Sequence, residues 1–411
     1  MNEHEFLQET ARCLSCPSPR CQTGCPTENL IKEWIFAGKT LDFESAGKLL
    51  YSVNPFPELT SLLCDYDRQC KGKCIRGIKG EPINIPSIEA FISSKVKRDL
   101  SKKESNHIKV CFVGAGPSSL SGAYFLLKEG FEVTIYEKEN FIGGAILTGI
   151  PSFRFDKKAL SSIYNDLTFL GCKFIFRKQI GVDIDIDELK ERFDYIVLNI
   201  GAEKENTAGN KETEGFVGGL SLLHDLNVES LEEKYKKYKK VLVWGGGNVA
   251  LDCARSLKRI IDDVSIIYRR SRVEMPGNNR EVEEAIEENI SFLFLENIES
   301  LILDEKGQLI GVNTVKMGLG DLDESGRRSF YKIEGSESKI DCDLVVAALG
   351  EKPDFSLFEG IETSWDKFET NDQKILISGD ACTGPKNIAS AITSGRNIAK
   401  LIMSKYGGCH E

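Results

Sequence analysis

The feature that most restricts the fold is a pattern that occurs twice. Residues 107–138, HIKVCFVGAGPSSLSGAYFLLKEGFEVTIYEK, read as an apolar strand, a glycine turn, a helix with apolar positions at Leu120, Ala123, Tyr124 and Leu127, and a second strand. Residues 239–270, KKVLVWGGGNVALDCARSLKRIIDDVSIIYRR, repeat it. A strand that runs into glycines and then a helix opens a mononucleotide-binding βαβ unit. Two of them predict an α/β chain with two Rossmann-like dinucleotide-binding domains.

The two turns lead into different side chains. In the first, Gly114 and Gly116 allow a tight turn and close approach of a pyrophosphate to the amides of a helix beginning at Pro117 and Ser118. Ser119 stands where a third glycine is usual. Glu137, 23 positions after Gly114, closes the next strand with Lys138 beside it, where an acid can accept from a ribose. In the second, Gly245, Gly247 and Ala250 hold the fingerprint positions and Asn248 opens the helix. The same step of 23 lands on Tyr268, followed by Arg269, Arg270 and Arg272. Arginines in place of the acid suit a 2′-phosphate. The pair predicts FAD in the first site and NADP(H) in the second. The plainer alternatives are an α/β unit without nucleotide and a solvated arginine-rich turn.

Residues 374–402, KILISGDACTGPKNIASAITSGRNIAKLI, read as a strand ending at Gly379 and Asp380, a loop, and a helix from about Ile388. The helix N-terminus can face the polar end of an isoalloxazine, with Asp380 reaching the ribityl or pyrophosphate region. Its place after the second unit predicts a discontinuous FAD domain with the NADPH domain inserted in it. The expected boundaries are 1–95 for a helical domain, 107–235 and 344–411 for the two parts of the FAD domain, and 236–343 for the NADPH domain. Gly201 completes the candidate cofactor-binding set.

The helical expectation for residues 1–95 rests on NLIKEWIFAGK (29–39) and FESAGKLLYSV (43–53). This segment also carries seven of the thirteen cysteines: Cys13, Cys16, Cys21, Cys25, Cys64, Cys70 and Cys74. The first four are spaced Cys-x2-Cys-x4-Cys-x3-Cys-Pro, too crowded for core packing, and in a reducing compartment they are metal ligands before disulfides. Zinc would be satisfied by residues 13–25 alone. The second group adds three thiolates, and a proline-followed last cysteine serves the other cluster in two-cluster ferredoxins, which favours two iron–sulfur clusters. Cys111, Cys172, Cys253, Cys342, Cys382 and Cys409 are scattered and read as small buried hydrophobes.

A formal charge of −10 argues against broad attraction to nucleic acid or anionic lipid. The polar start MNEHEFLQETAR and the lack of a long apolar run predict a cytoplasmic chain without a membrane span. SSKVKRDLSKKESNH (93–107) reads as a solvated linker, and GLGDLDESGRRS (318–329) as a hairpin loop.

In family order, the chain carries the opening cysteine motif, NPFPELTSLLCDYDRQCKGKC, GEPINIPSIEAF, FVGAGPSSL, GGAILTGIPSFRF, WGGGNVALDCAR, YRRSRVEMPG and GDACTGPKNIASAITSGR. With these it resembles the small, or beta, subunit of NADPH-dependent glutamate synthase. Its relatives include the electron-input part of dihydropyrimidine dehydrogenase and the large subunit of NADH-dependent ferredoxin:NADP oxidoreductase. Departures are Ser119, Phe155 where Leu is usual, and Gly277 where Ala is common. The resemblance implies one [4Fe-4S] cluster on Cys13, Cys16, Cys21 and Cys74, and another on Cys25, Cys64 and Cys70 with Glu89 as a carboxylate ligand. It also implies that Gly143 and Gly144 allow approach to the flavin, and that Pro151 and Arg154 shape its nicotinamide side. The implied activity passes electrons from NADPH through FAD and the clusters to a partner, a larger catalytic subunit or ferredoxin, and needs no catalytic acid, base or nucleophile. GGAILTGIPSF lacks the cysteine pair of a flavin disulfide reductase. The glutamine-hydrolysing and synthase domains of a full glutamate synthase find no room, and Asn2 stands where an N-terminal nucleophilic cysteine would be. Coupling to pyrimidine reduction or to ferredoxin is the nearest alternative, and a non-catalytic scaffold binding nucleotide and zinc is the alternative of another class.

Overall fold

In the computed structural model, which describes residues 1–211, 213–324 and 326–407, the cysteine-rich segment is a set of short helices. Several start on residues that satisfy or remove the first amides. Helix Glu3–Ala11 opens with Asn2 accepting from Glu5 N while the Glu5 side chain reaches back to the Asn2 N–H. Asp42 caps Phe43–Tyr51, and Pro57–Leu63 and Ile85–Lys95 carry proline in their first turns. The helices Ile31–Lys39 and Phe43–Tyr51 lie within the stretches expected from periodicity. Phe6, Trp34, Leu50 and Ile88 are fully buried at the centre, and Cys13, Cys21, Cys25, Cys70 and Cys74 pack against that core. The thiols therefore stand on an apolar platform.

The segment expected to be a solvated linker is strapped down instead. Arg98 is buried, donates from Nε to Pro55 O at 2.7 Å, and pairs with both Glu58 and Asp166. Its guanidinium lies 5.3 Å from the Phe56 ring centroid. Tyr124 donates to Asp99 O and Lys102 to Leu170 O. A basic run looks solvated in sequence, but here its backbone and one arginine find acceptors on packed helices.

The same compact unit, Met1–Gly144, Phe155–Ala202 and the chain from Pro353, contains a five-stranded parallel sheet. Its order is Ile375–Ile377, Tyr195–Leu198, Lys109–Val113, Glu132–Tyr136, Lys173–Ile175, with Val110 opposite Val133 and Tyr195. Helices Pro117–Lys128 and Ile388–Gly407 pack on each other. Lys109–Val113 is buried but for Lys109, as expected of a strand with both faces covered.

The second unit, Ala145–Arg154 and Glu203–Lys352, has its own five-stranded parallel sheet, ordered Phe216–Gly218, Leu344–Ala347, Lys240–Trp244, Asp263–Tyr268, Ser291–Phe294. An antiparallel sheet of Glu296–Leu303, Leu309–Leu322, Arg328–Lys332 and Ser338–Ile340 includes the expected hairpin. The inserted unit is longer than the expected 236–343, because Leu344–Ala347 pairs with Phe216–Gly218 on one side and Lys240–Trp244 on the other. Lys204–Glu205 and Glu351–Lys352 pair where the chain enters and leaves it. That pairing joins residues far apart in sequence, so the boundary carries no local signal. Cys111, Cys172, Cys253, Cys342 and Cys382 are buried singly, and Cys409 lies outside the described residues. Among the described residues no helix is long and apolar enough to cross a membrane.

Candidate redox site

At the first glycine turn, Gly114 has φ +99°, and a Cβ there would stand 2.5 Å from Asn199 O, so both backbone and space require glycine. Gly116 caps helix Pro117–Lys128, and a Cβ on it would meet nothing within 4 Å. The turn therefore leaves an open cradle at a helix N-terminus, which fits the pyrophosphate of a dinucleotide. Gly143 N donates to Ala115 O at 2.9 Å, which lays Gly143 and Gly144 along the turn. Glu137 is buried and accepts from Ala115 N (2.6 Å) and Glu139 N (2.9 Å), so it braces the glycine loop while keeping lone pairs for a ribose. Lys138 is exposed and Gly201, at φ +69°, has open space beside it.

The Gly379–Asp380 corner is held by a relay that the sequence did not announce. Ser118 Oγ bonds Ser378 Oγ (2.8 Å), Ser378 bonds Ser394 (3.0 Å), and Gly379 N donates to Ser394 Oγ (2.8 Å). The serines come from the glycine-turn helix, the end of the last strand and helix Ile388–Gly407, and only packing unites them. Burial, opposed by the amide and charge of Lys386, pushes Asp380 up to about 6. An acid raised above its unfolded value of about 3.9 stabilises the fold below pH 4, and that contribution is lost as pH rises to about 6. The cofactor-free protein is expected to lose up to about 2 kcal/mol across that window, after allowing for partial exposure, and Asp380→Asn to abolish this component. Urea unfolding from pH 4 to 8 measures it; superimposable wild-type and variant profiles would refute it.

In the second unit Gly245 has φ +151° and a Cβ would collide with Ala348 O, while Gly247 caps helix Asn248–Lys258 with nothing within 4 Å of its own Cβ position. Asn248 Oδ1 accepts from Asn278 N at 2.8 Å. Gly277 N donates to Gly246 O, and a Cβ at Gly277 would stand 2.6 Å from Leu251 Cδ1, so the glycine at this position matches its neighbours. The structure separates the three arginines. Arg270 is buried, paired with Asp323 (2.6 Å) and donating to Arg328 O, so its guanidinium is already engaged; Arg269 and Arg272 remain exposed. Arg154, expected beside a nicotinamide, is instead held by Asp252 (2.6 and 2.7 Å) and Glu281 (3.0 Å). Both differences from expectation have one cause: a guanidinium within reach of a carboxylate is drawn to it, and the sequence does not reveal the carboxylate.

The eight proposed ligands fall into two groups in space. Cys13, Cys16, Cys21 and Cys74 line one pocket together with Arg20, Lys32, Ile35 and Arg76. Burial, then the nearby Cys74, pushes the Cys21 thiol up to about 12. Cys25, Cys64 and Cys70 are absent from that pocket; burial raises each, and Glu89 adds to the rise in all three. Glu89 is itself buried, raised to about 7 by burial, and accepts from Thr60 Oγ1 (2.8 Å) and Asn54 Nδ2 (3.0 Å), both on Oε1. Among the described residues no group of three or more His, Cys, Asp or Glu is already closed around a single metal ion. Two buried donors lack acceptors, Nε of Arg76, which lines the pocket of the first group, and Nε of Arg396, whose guanidinium interacts with Cys25. Grouped thiols that a metal can deprotonate, with unpaired N–H groups close by, fit iron–sulfur clusters.

A helical cysteine-bearing domain joined to two glycine-turn dinucleotide units defines a flavin- and nicotinamide-linked iron–sulfur oxidoreductase. The model of dihydropyrimidine dehydrogenase domain II, 4Fe-4S cluster, matches residues 1–100, and that of pyridine nucleotide-disulphide oxidoreductase matches residues 108–395. The chain belongs to the family of the glutamate synthase small chain and related FAD- and NADPH-dependent iron–sulfur oxidoreductases. It is 30% identical to the NADPH glutamate synthase small chain of Escherichia coli (strain K12), over 98% of this chain and 92% of that one. It is 31% identical to the NADPH-Fe(3+) oxidoreductase subunit beta of Geobacter sulfurreducens, over 98% of this chain but only 64% of that one, so it spans less than two thirds of that relative. Both relatives are named as subunits. Among solved structures, Mycobacterium tuberculosis FprA in complex with NADPH shares the fold with a TM-score of 0.64 at 17% identity, over 74% of this chain and 86% of that one. The described cysteines are all free thiols.

Proposed function

We propose that the chain accepts hydride from NADPH and passes the electrons through FAD and two [4Fe-4S] clusters to a larger catalytic subunit of the glutamate synthase type. Cys13, Cys16, Cys21 and Cys74 hold one cluster; Cys25, Cys64, Cys70 and Glu89 hold the other. Gly114, Gly116, Pro117 and Ser118 receive the FAD pyrophosphate, Glu137 its ribose, and Asp380 with the start of helix Ile388–Gly407 its inner end. Gly245, Gly247 and Asn248 receive the NADPH pyrophosphate. The observation that carries this reading is the division of seven thiols and one carboxylate into two groups, five of the thiols packed on one apolar core. Ferredoxin or a pyrimidine-reducing subunit is the alternative acceptor.

Anaerobic titration with NADPH tests the proposal. Bleaching of a flavin band together with a broad iron–sulfur shoulder supports it; a flavin-only response leaves the cysteines to zinc, and no response overturns it in favour of a binding protein.

For the nicotinamide, Arg269 and Arg272 supply the exposed guanidinium groups and Arg270 does not. The double substitution Arg269→Ala, Arg272→Ala is expected to lower kcat/KM for NADPH more than about tenfold while leaving NADH within about twofold, as befits lost charge-assisted bonds to a 2′-phosphate. Equal losses with both nucleotides would remove the arginines from recognition.

A further inference from the structure

Arg396 is a cation buried where the fold alone gives it no complete set of partners. It lies on helix Ile388–Gly407 and is 2% exposed. Nη1 donates to Thr27 O (2.8 Å) and Val53 O (3.0 Å), and Nη2 meets Glu28 Oε2 at 3.0 Å. One turn earlier on the same helix, Thr393 Oγ1 donates to Pro26 O at 2.8 Å. The helix therefore grips Pro26, Thr27 and Glu28, the three residues directly after Cys25. The remaining donor, Nε, is buried and has no acceptor. Besides Glu28, the ionisable neighbour of the guanidinium is the Cys25 thiol. The Glu28 side chain is 79% exposed, so water screens its compensation of the buried charge.

We propose that Arg396 sets the reduction potential of the cluster bound through Cys25, holding it above the value its ligands alone would give. The inference rests on the reading that Cys25, Cys64, Cys70 and Glu89 hold a cluster. The physical basis is direct. Reduction adds one negative charge to the cluster, and a permanent positive charge in a poorly screened interior lowers the energy of the reduced form more than the oxidised one. A hydrogen bond to a cluster or cysteine sulfur acts in the same direction. An arginine serves better than a lysine, because Nη1 and Nη2 can hold the carbonyls and Glu28 while Nε–H stays unpaired and free to donate to a cluster or cysteine sulfur.

The test is an anaerobic, EPR-monitored redox titration of the cluster-loaded full chain, with iron content measured on every sample. In Arg396→Gln, one of the two cluster potentials is expected to fall by at least a tenfold change in the ratio of reduced to oxidised cluster at fixed potential, about 59 mV for one electron, with the other unmoved. Arg396→Lys, which keeps the charge without Nε, is expected to fall by less. Glu28→Gln alters an exposed side chain and removes the screened counter-charge, so the same potential is expected to rise slightly. It carries the test if Arg396→Gln does not fold. Unchanged potentials in the folded Arg396 variants, or in Glu28→Gln when those fail to fold, overturn the proposal. A wild-type protein without iron or a cluster signal overturns the underlying ligand assignment first, and is recognised before any variant is compared.

Discussion

A Cys64→Ala protein is expected to lose about half its iron, to keep NADPH-driven bleaching of the flavin, and to reduce its remaining cluster about 100-fold more slowly or worse. Cys64 closes helix Pro57–Leu63, and burial first, then Glu89, Cys25 and Cys70, hold its thiol protonated well above the ordinary range. Such a thiol becomes a thiolate only when a metal displaces its proton, so loading releases protons and strengthens as pH rises. The neighbouring ligand Cys25 leads into the segment that helix Ile388–Gly407 grips through Thr393 and Arg396. That helix belongs to the proposed flavin-binding domain, so under the proposed ligand assignment loss of the cluster bound through Cys25 is expected to interrupt the path. Stopped-flow spectra at the flavin band and the iron–sulfur shoulder separate the two steps. Wild-type kinetics at the shoulder would show that electrons do not need this cluster.

Arg98→Ala is expected to destabilise the first unit by about 3–5 kcal/mol, the usual consequence of removing one partner from a buried charge cluster. Arg98 is buried between Glu58 and Asp166, and its guanidinium answers both carboxylates. Burial raises Glu58 and the guanidinium pulls it back, so truncation leaves an acid that must protonate or draw in water. Asp166 lies on helix Lys158–Leu170, and Glu58 on helix Pro57–Leu63. The arginine thus ties the cysteine domain to the sheet domain within the unit. Arg98→Lys should recover only part of the loss, since an ammonium's three N–H groups share one nitrogen and lack the planar spread over Nε, Nη1 and Nη2 that reaches the carbonyl and both carboxylates. Urea unfolding followed by fluorescence measures both variants. A change below about 1 kcal/mol for the alanine would show that solvent already screens the cluster.

The places where sequence and structure part share a physical character. Arg154 and Arg270 suggest cofactor contacts in sequence because a guanidinium carries no sign of its partner; Asp252 lies 98 residues from the one and Asp323 lies 53 from the other. The 93–107 stretch reads as solvated because its charges are evident and its acceptors Pro55, Leu170 and Lys128 are not adjacent. The serine relay behind Gly379 spans 260 positions between Ser118 and Ser378, and no spacing rule reaches that far.

What the sequence determined alone is whatever a single turn of chain enforces. Gly114 and Gly245 need positive φ and have no room for a Cβ, the strands around them are apolar over four consecutive residues, and four cysteines crowd into thirteen positions. Steric exclusion and hydrophobic periodicity act over a few residues, so they are visible in a few residues. Tertiary structure decided how the seven cysteines divide, where the inserted unit begins and ends, and which arginines face outward. It also placed Arg396, with one unpaired N–H, beside Cys25. Those outcomes depend on which surfaces meet when helices and sheets pack, and burial and electrostatic pairing between distant segments exist only once they have met.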